Sequence, residues 1–282
     1  ELLEKIILDC NKSMNDLEAV QVADSIYDTL YDALKVVKPD SKVLSHLWEE
    51  DGDITDYTEL LVKNPMMSIE TAKSYNCDEL NRFIDRVPDS TSYFASFKVN
   101  GHGIRVVYEN GYLVSATSRA RSSAGRDITR HMQVLLGSYN ENLVDYGLVE
   151  MRGEIALHLD KLDEARNFNP SIKSAFSAVA SLIKPSASDE EIRLLSFLCY
   201  GFIVDGFGFD TKEEEYQAIN DAGFETPEFM LIEELNREDI ASTLVDVIET
   251  FEDAYEGFGY FCDGVVFEVN EREEFLPLGT EK

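Results

Sequence analysis

Basic side chains are scarce in this chain of 282 residues, which has 25 Lys and Arg against 55 Asp and Glu and a formal net charge of −30. Such a charge repels a phosphate backbone at long range, which excludes a general nucleic-acid-binding surface. A contact with DNA has to be local or be assisted by another polypeptide. Four arginines within twelve residues form a local exception to the acidic mean: Arg119, Arg121, Arg126 and Arg130.

Cysteines are few, and long apolar runs are missing. The four cysteines have no paired spacing, which argues against a zinc site and a disulfide framework and suits a reducing cytoplasm. No stretch approaches the ~20 apolar residues of a membrane span, and no signal-like apolar run follows a basic start. We therefore expect a cytoplasmic protein without a membrane partner. The histidines lie in no metal-ligand spacing, so no protein-built metal site is predicted: they are His46, His102, His131 and His158.

The spacing of apolar residues divides the chain into two parts. Helical spacing prevails near the start, for example in Ile26, Leu30, Leu34 and Val37 after an Asp24 cap. Further along, short strands are predicted over 93–99, 104–108, 112–117, 148–157, 194–204 and 264–269, with helices at 77–87, 216–221 and around 240–251. The pattern predicts a small helical domain over residues 1–62 and an α+β domain over residues 63–282 with mostly antiparallel strands.

One lysine stands at the end of the first predicted strand. The aromatic-rich strand 93–99 delivers Lys98 to its end, and the next two strands are joined by Asn110-Gly111, a pair that suits a type I′ turn. A lysine held in this way can serve as a covalent nucleophile when its surroundings lower its pKa. A lone lysine is more often a surface side chain, so the interpretation depends on what else converges on it.

Several segments share their order and spacing with one known family. They are residues 98–101 (KVNG), 118–119 (SR), 151–154 (MRGE), 195–201 (LSFLCYG) and 263–269 (DGVVFEV). This series resembles the nucleotidyltransferase domain of the NAD-dependent DNA ligases. Upstream, residues 24–28 (DSIYD) are similar to that family's helical domain for nicotinamide mononucleotide, and residues 65–70 (PMMSIE) to the segment that lines its adenine pocket. The likeness covers the chain from about residue 24 to residue 269.

The resemblance implies a fold and a reaction. The fold is a nucleotidyltransferase with ATP-grasp-like antiparallel sheets, as in the adenylation domain of DNA ligases, preceded by a small helical domain. In the reaction, the amine of Lys98 attacks the α-phosphate of NAD, forms lysyl-AMP and expels nicotinamide mononucleotide. AMP then passes to the 5′-phosphate of a DNA nick, and a 3′-hydroxyl displaces it. Magnesium is the implied cofactor beside NAD.

The same resemblance implies roles for the side chains around the nucleotide. Glu154 would contact the ribose or a metal, Arg119 the sugar or phosphate region, and Tyr200 would stack on adenine. Val266 would line an apolar face of the base, and Asp263 would interact near the lysine. Five further implied contacts lie in the two upstream segments: Asp24, Tyr27, Asp28, Ser68 and Ile69.

Three positions in this implied nucleotide site depart from the family pattern. Asn100 stands where the family has aspartate, and Ser96 stands where it usually has a glutamate that reads the adenine amine. Glu268 occupies the position of a phosphate-binding lysine, which replaces an attraction by a repulsion. We expect the carboxylate of Glu268 to be turned outward, to bind magnesium, or to pair with an arginine or lysine.

Three functions stay open at this point. The first is an adenylyltransferase fragment or subunit of a divergent, phage-type NAD-dependent ligase that acts on nicked double-stranded DNA in replication and repair. Its DNA-clamping parts would be a second polypeptide or C-terminal OB-fold and helix-hairpin-helix domains. The second is a catalytically impaired relative that keeps the pocket for nucleotide binding or interaction. The third is an ATP-dependent polynucleotide ligase, and Asp24, Tyr27 and Asp28 argue for NAD instead.

Overall fold

The computed structural model describes residues 3, 5–7, 30, 33–34, 36–38, 77–86, 92–119, 125–204, 209–233 and 239–272. The strands from residue 77 onward are β1 Tyr93–Val99, β2 His102–Glu109, β3 Tyr112–Ser118, β4 Leu148–Leu157, β5 Leu195–Val204, β6 Phe229–Ile232 and β7 Cys262–Val269. The helices are α1 Cys77–Ile84, α2 Thr129–Leu136, α3 Leu162–Phe168, α4 Ala175–Leu182, α5 Asp189–Ile192, α6 Lys212–Asp221 and α7 Ile240–Phe258. Short 3-10 helices occupy Glu141–Tyr146 and Leu159–Lys161.

The strands form two antiparallel sheets. One has three strands in the order β6-β1-β7, and the other has four in the order β3-β2-β4-β5. All pairings between these strands are antiparallel. This confirms the predicted α+β class, and the six predicted strands are present. The predicted boundary at residue 62 lies outside the described residues and stays a prediction.

The two faces of β1 have different partners because side chains alternate along a strand. The odd-numbered residues of β1 join an apolar cluster against α7. Within it, the ring of Phe97 stacks on Phe258 at a centroid distance of 4.5 Å and meets Phe251 edge-on at 4.7 Å. The opposite face of β1 therefore carries Ser96 and Lys98, and it points away from α7.

The four-stranded sheet packs one face against helices α2, α4 and α6. Ile104 of β2 and Met151 of β4 belong to this second apolar cluster. The alternate positions of the same strands place polar side chains on the other face, among them Arg105, Glu150 and Glu154. The sheet thus separates its apolar core from a polar face.

Gly101 allows the chain to cross from β1 in one sheet to β2 in the other. A Cβ atom at this position would collide with the carbonyl oxygen of Ile155 and would lie 3.1 Å from the Cβ atom of Glu154. Only glycine fits such a close approach. The crossing therefore brings the end of β1, which carries Lys98, next to the segment of β4 that carries Glu154.

Local sequence signals account for most but not all of these elements. Asn110 and Gly111 have φ angles of 49° and 81°, as the predicted type I′ turn requires. β6 was missed because Phe229–Ile232 is a short unbroken apolar run without alternation. Near the start of the chain, where helical spacing prevails, the described residues 3, 5–7, 30, 33–34 and 36–37 are helical as predicted. In the described part of the chain, no helix combines the length and apolarity needed to cross a bilayer.

Candidate active site

Lys98 and Asp263 form the centre of the candidate site. Lys98 pairs with Gly264 and Val99 pairs with Cys262, so Asp263 is the extra residue of a bulge in β7. Bulges re-aim side chains, and here Oδ1 of Asp263 accepts a hydrogen bond from Nζ of Lys98 at 2.6 Å. The two side chains are 36% and 40% exposed, so a substrate can reach them.

Asn100 supports the carboxylate that Lys98 contacts. Its side-chain Nδ2 donates to Oδ2 of Asp263 at 3.4 Å. Its backbone N–H donates to the carbonyl oxygen of Phe261 at 2.8 Å, which fixes the start of the crossing between the sheets. An amide can donate to Asp263, whereas an aspartate at position 100 would add a like charge beside it. Asn100 therefore keeps a hydrogen-bond donor next to the carboxylate of Asp263.

Glu154, Tyr200 and Arg119 come together on the polar side of the four-stranded sheet. The hydroxyl of Tyr200 donates to Oε1 of Glu154 at 3.3 Å. A Cβ atom on Gly103 would lie 3.0 Å from Cβ of Arg119 and 3.3 Å from Oε1 of Glu154, so the two side chains flank the same glycine. Burial raises the pKa of Tyr200 and Glu154 raises it further, while Arg119 lowers it. The phenol therefore stays neutral and can donate a hydrogen bond.

Ser96 and Val266 lie opposite each other on β1 and β7. Ser96 is buried, and it shares its face of β1 with Lys98 two residues further on. The structure therefore brings both residues to the same side of the three-stranded sheet as the nucleophile candidate.

Glu268 pairs with a lysine, which is one of the three arrangements expected for it. It lies opposite Phe94 in the β1–β7 pairing, and its Oε1 is 3.6 Å from Nζ of Lys212 at the start of α6. Sequence reasoning did not single out Lys212. The Thr211-Glu214 capping box placed it at a helix start, but no local signal points to a contact with β7.

Sequence reasoning also missed a buried charged cluster on the polar face of the four-stranded sheet. Glu150 is fully buried, and its Oε1 lies 2.9 Å from Nε of Arg105 and 2.6 Å from Nε of Arg152. The regular alternation of Glu150, Arg152 and Glu154 along an otherwise apolar strand was the available signal. Burial lowers the pKa of Arg105, and Glu150 opposes that change.

A comparison with protein families decides which family the chain belongs to. The model of the NAD-dependent DNA ligase adenylation domain matches residues 54–282, which is most of the chain. The chain belongs to this family. The two antiparallel sheets are accordingly those of a nucleotidyltransferase-type ligase adenylation fold, as the sequence predicted.

Curated relatives of this adenylation domain are DNA ligases. That of Coprothermobacter proteolyticus is 28% identical over 310 aligned residues, which cover 99% of this chain and 44% of that protein. That of Mycoplasma capricolum is 27% identical over 290 residues, covering 96% and 41%. The chain thus spans less than half the length of these relatives. Among solved structures, an archaeal ATP-dependent RNA ligase is similar at a TM-score of 0.45 and 16% identity, over 74% of this chain and 46% of that one.

Some positions that the family resemblance selected lie outside the described residues. These are Asp24, Tyr27, Asp28, Ser68 and Ile69, together with Arg121 of the basic cluster. Among the residues that are described, no three His, Cys, Asp or Glu side chains are arranged to hold a metal ion.

His102 lies beside the crossing between the two sheets. Its ring stacks on Phe176 at a centroid distance of 4.9 Å, and burial lowers the pKa of His102 to about 4.

Proposed function

We propose that this chain is the adenylation module of an NAD-dependent DNA ligase, in which Lys98 takes AMP from NAD and passes it to the 5′-phosphate of a nick in double-stranded DNA. The observation that carries this proposal is the 2.6 Å contact between Nζ of Lys98 and Oδ1 of Asp263. A carboxylate at that distance orients the amine and can accept its proton. Membership of the family supports the class of reaction, and this contact supports Lys98 as the nucleophile.

The first step forms one bond and breaks one. The lone pair of Lys98 Nζ attacks the α-phosphorus of NAD, and the bond from that phosphorus to the bridging oxygen breaks. Nicotinamide mononucleotide leaves with the electron pair on its phosphate oxygen, and the proton from Nζ passes to Asp263 and then to solvent. In the next step, an oxygen of the 5′-phosphate attacks the same phosphorus and releases Lys98. Attack by the 3′-hydroxyl on the 5′-phosphate then releases AMP and seals the nick.

The remaining side chains would hold the nucleotide while these bonds change. Glu154 is proposed to bind the ribose, with Tyr200 fixed beside it as the platform for adenine. Arg119 would meet the sugar or phosphate, and Val266 with Ser96 would line the base from β1 and β7. These roles are supported by the convergence of the residues around the crossing at Gly101.

Magnesium would be held at this site mainly by the phosphates of the bound substrate. Mg²⁺ commonly binds through one or two carboxylates together with substrate phosphates. Here Asp263 is engaged by Lys98 and Asn100, and Glu154 accepts from Tyr200. The ion would neutralise phosphate charge, with Glu154 as the carboxylate best placed to share it.

We further propose that residues 1–62 form the module that binds nicotinamide mononucleotide, through Asp24, Tyr27 and Asp28, and that Ser68 and Ile69 border the adenine. Contact with nicked DNA would rely on a second polypeptide or on C-terminal OB-fold and helix-hairpin-helix domains. The proposed ligase would act in DNA replication and repair, in the cytoplasm of a bacterial or phage-infected cell. The net charge of −30 supports the need for such a DNA-binding partner.

Intact-mass spectrometry of the full chain tests the nucleophile. The chain is incubated with magnesium and either NAD or ATP. We expect an AMP adduct with NAD but not with ATP, and we expect no adduct in Lys98→Ala. Lys161→Ala is the matched control, because Lys161 is an exposed lysine that also contacts a carboxylate. Adduct formation from ATP would indicate an ATP-dependent polynucleotide ligase. The absence of any adduct, with nucleotide still bound, would indicate a binding module.

Removal of residues 1–62 tests the donor module. We expect this deletion to abolish adenylation by NAD and to leave AMP transfer from pre-adenylated nicked DNA comparatively intact. Labelling by NAD that survives the deletion would contradict the proposed role of Asp24, Tyr27 and Asp28.

A further inference from the structure

The ammonium group of Lys212 is enclosed by acceptors from three elements. Nζ donates to the carbonyl oxygen of Tyr200 on β5 at 2.9 Å, and it lies 3.2 Å from Oε2 of Glu215 and 3.6 Å from Oε1 of Glu268 on β7. The side chain of Lys212 is only 15% exposed. The ammonium group therefore donates one hydrogen bond to β5 of the four-stranded sheet and forms ion pairs with Glu215 and with Glu268 of the three-stranded sheet.

The backbone holds the same end of α6 against β7. The N–H of Lys212 donates to the carbonyl oxygen of Asn270 at 2.8 Å, and the N–H of Glu213 donates to Oδ1 of Asn270 at 3.1 Å. On the other side, Oε1 of Glu215 accepts from the N–H of Phe202 on β5 at 2.6 Å. The first turn of α6 thus lies between the two sheets and is bonded to both.

We propose that Lys212 is a positioning residue for the nucleotide site, an inference that rests on the proposed function. By binding Tyr200 and Glu268 at once, its ammonium group fixes the separation between β5 and β7. Those strands carry Tyr200 on one wall and Asp263 on the other. Lys212 also neutralises Glu268 inside the protein, so that this carboxylate is held away from the substrate phosphates.

Loss of the ammonium group would separate the two walls. In Lys212→Met the apolar stem remains, but Glu215 and Glu268 would face each other without a shared cation, and the carbonyl of Tyr200 would lose this donor. Lys98 and Asp263 lie on paired strands of one sheet, so they would move together. Nucleotide binding should therefore weaken far more than the chemical step.

The test compares Lys212→Met with wild type in the full chain. We expect the half-saturating NAD concentration for self-adenylation, and the dissociation constant for AMP by calorimetry, to rise about tenfold. The maximal rate should change less than about threefold. Lys212→Arg keeps the positive charge but is larger, so its nucleotide affinity should lie between those of Lys212→Met and wild type. Lys161→Met is the matched control, because Lys161 forms an equally short 3.2 Å contact with Glu164 on the surface, and it should change nothing.

Two results would overturn the inference. One is a folded Lys212→Met variant with unchanged nucleotide affinity, and the other is a variant that loses maximal rate while binding stays intact. If Lys212→Met does not fold, Lys212→Met/Glu268→Gln removes the opposing carboxylate, and the same rise in the AMP dissociation constant is expected there. A wild-type chain that binds AMP but takes none from NAD would refute the proposed function, and AMP affinity alone then decides the role of Lys212.

Discussion

Lys98 and Asp263 are 165 positions apart in the sequence, and their charged atoms lie 2.6 Å apart. The contact depends on a bulge, because Asp263 has no partner residue on β1 and its carboxylate is aimed at the neighbouring lysine. Asn100 holds the other carboxylate oxygen, at 3.4 Å. The nucleophile candidate therefore has an adjacent proton acceptor, Asp263, and Asn100 orients that acceptor.

We predict that Asp263→Asn slows self-adenylation by about 10²-fold or more, the range of general acid–base contributions. Asparagine keeps the shape of the side chain but cannot take the proton of Lys98. Single-turnover measurement with NAD gives the rate, and Asp160→Asn, at an exposed carboxylate near His158, serves as the control. A rate equal to that of wild type would mean that the proton leaves by another route.

We predict that Glu268→Lys is harmful even though the family pattern has lysine at this position. Lys212 already places an ammonium group 3.6 Å from Glu268, so the substitution would bring two like charges together in a half-buried site. Thermal unfolding should show a lower midpoint than wild type, and adenylation should not become faster.

Exchange of the two charges provides the check on this prediction. In Lys212→Glu/Glu268→Lys an opposite-charge contact is restored, and the double-mutant cycle should give a coupling free energy of about 1–3 kcal/mol. A more stable or faster Glu268→Lys single variant would show that residue 268 can face the phosphates despite Lys212.

Local signals in the sequence predicted six of the seven strands in the described residues, but contacts that depend on tertiary packing could not be predicted in this way. The positions of the strands and the Asn110-Gly111 turn follow from local alternation and turn chemistry, whereas the choice of Lys98 as nucleophile came from the resemblance to the ligase family. The bulge at Asp263 and the contact of Lys212 with Glu268 depend on register and on how α6 packs, which distant parts of the chain decide. Glu150 is an intermediate case, because its alternation with Arg152 along β4 is visible in the sequence, whereas its contact with Arg105 of β2 is not.

We predict that Glu150→Gln is strongly destabilising, by about 3–5 kcal/mol in the free energy of unfolding. The fully buried carboxylate contacts Arg105 at 2.9 Å and Arg152 at 2.6 Å, so its removal leaves two guanidinium groups without their shared counter-charge. Urea denaturation measures the change. Glu164→Gln removes an exposed partner of Lys161 and should cost less than about 1 kcal/mol. Equal effects of the two substitutions would contradict the interpretation of Glu150.

We predict that His102 makes the protein less stable as the pH falls from about 6.5 to about 4. Burial lowers the pKa of His102 to about 4 from 6.5. Between these values the unfolded chain binds a proton that the native chain does not, so unfolding is favoured as the pH decreases. The difference is on the order of 3 kcal/mol and is fully developed below the lower value.

His102→Phe, which keeps an aromatic ring beside Phe176, is the variant for this test. Its unfolding free energy, measured by urea denaturation at several pH values, should fall less steeply than that of wild type between pH 6.5 and 4. Above pH 7 the two slopes should agree. Parallel curves over the whole range would show that His102 does not titrate in this way.

We predict that the chain alone binds nicked DNA weakly, with a dissociation constant above about 10 μM at physiological salt. The net charge of −30 opposes binding, and the local basic cluster is partly neutralised, because Nη2 of Arg130 lies 2.7 Å from Asp189. Fluorescence anisotropy with a nicked duplex measures the affinity. Addition in trans of a basic DNA-binding domain that associates with the chain should restore binding and sealing, with a steep dependence on salt. Submicromolar binding by the chain alone would show that its local arginines outweigh the acidic surface.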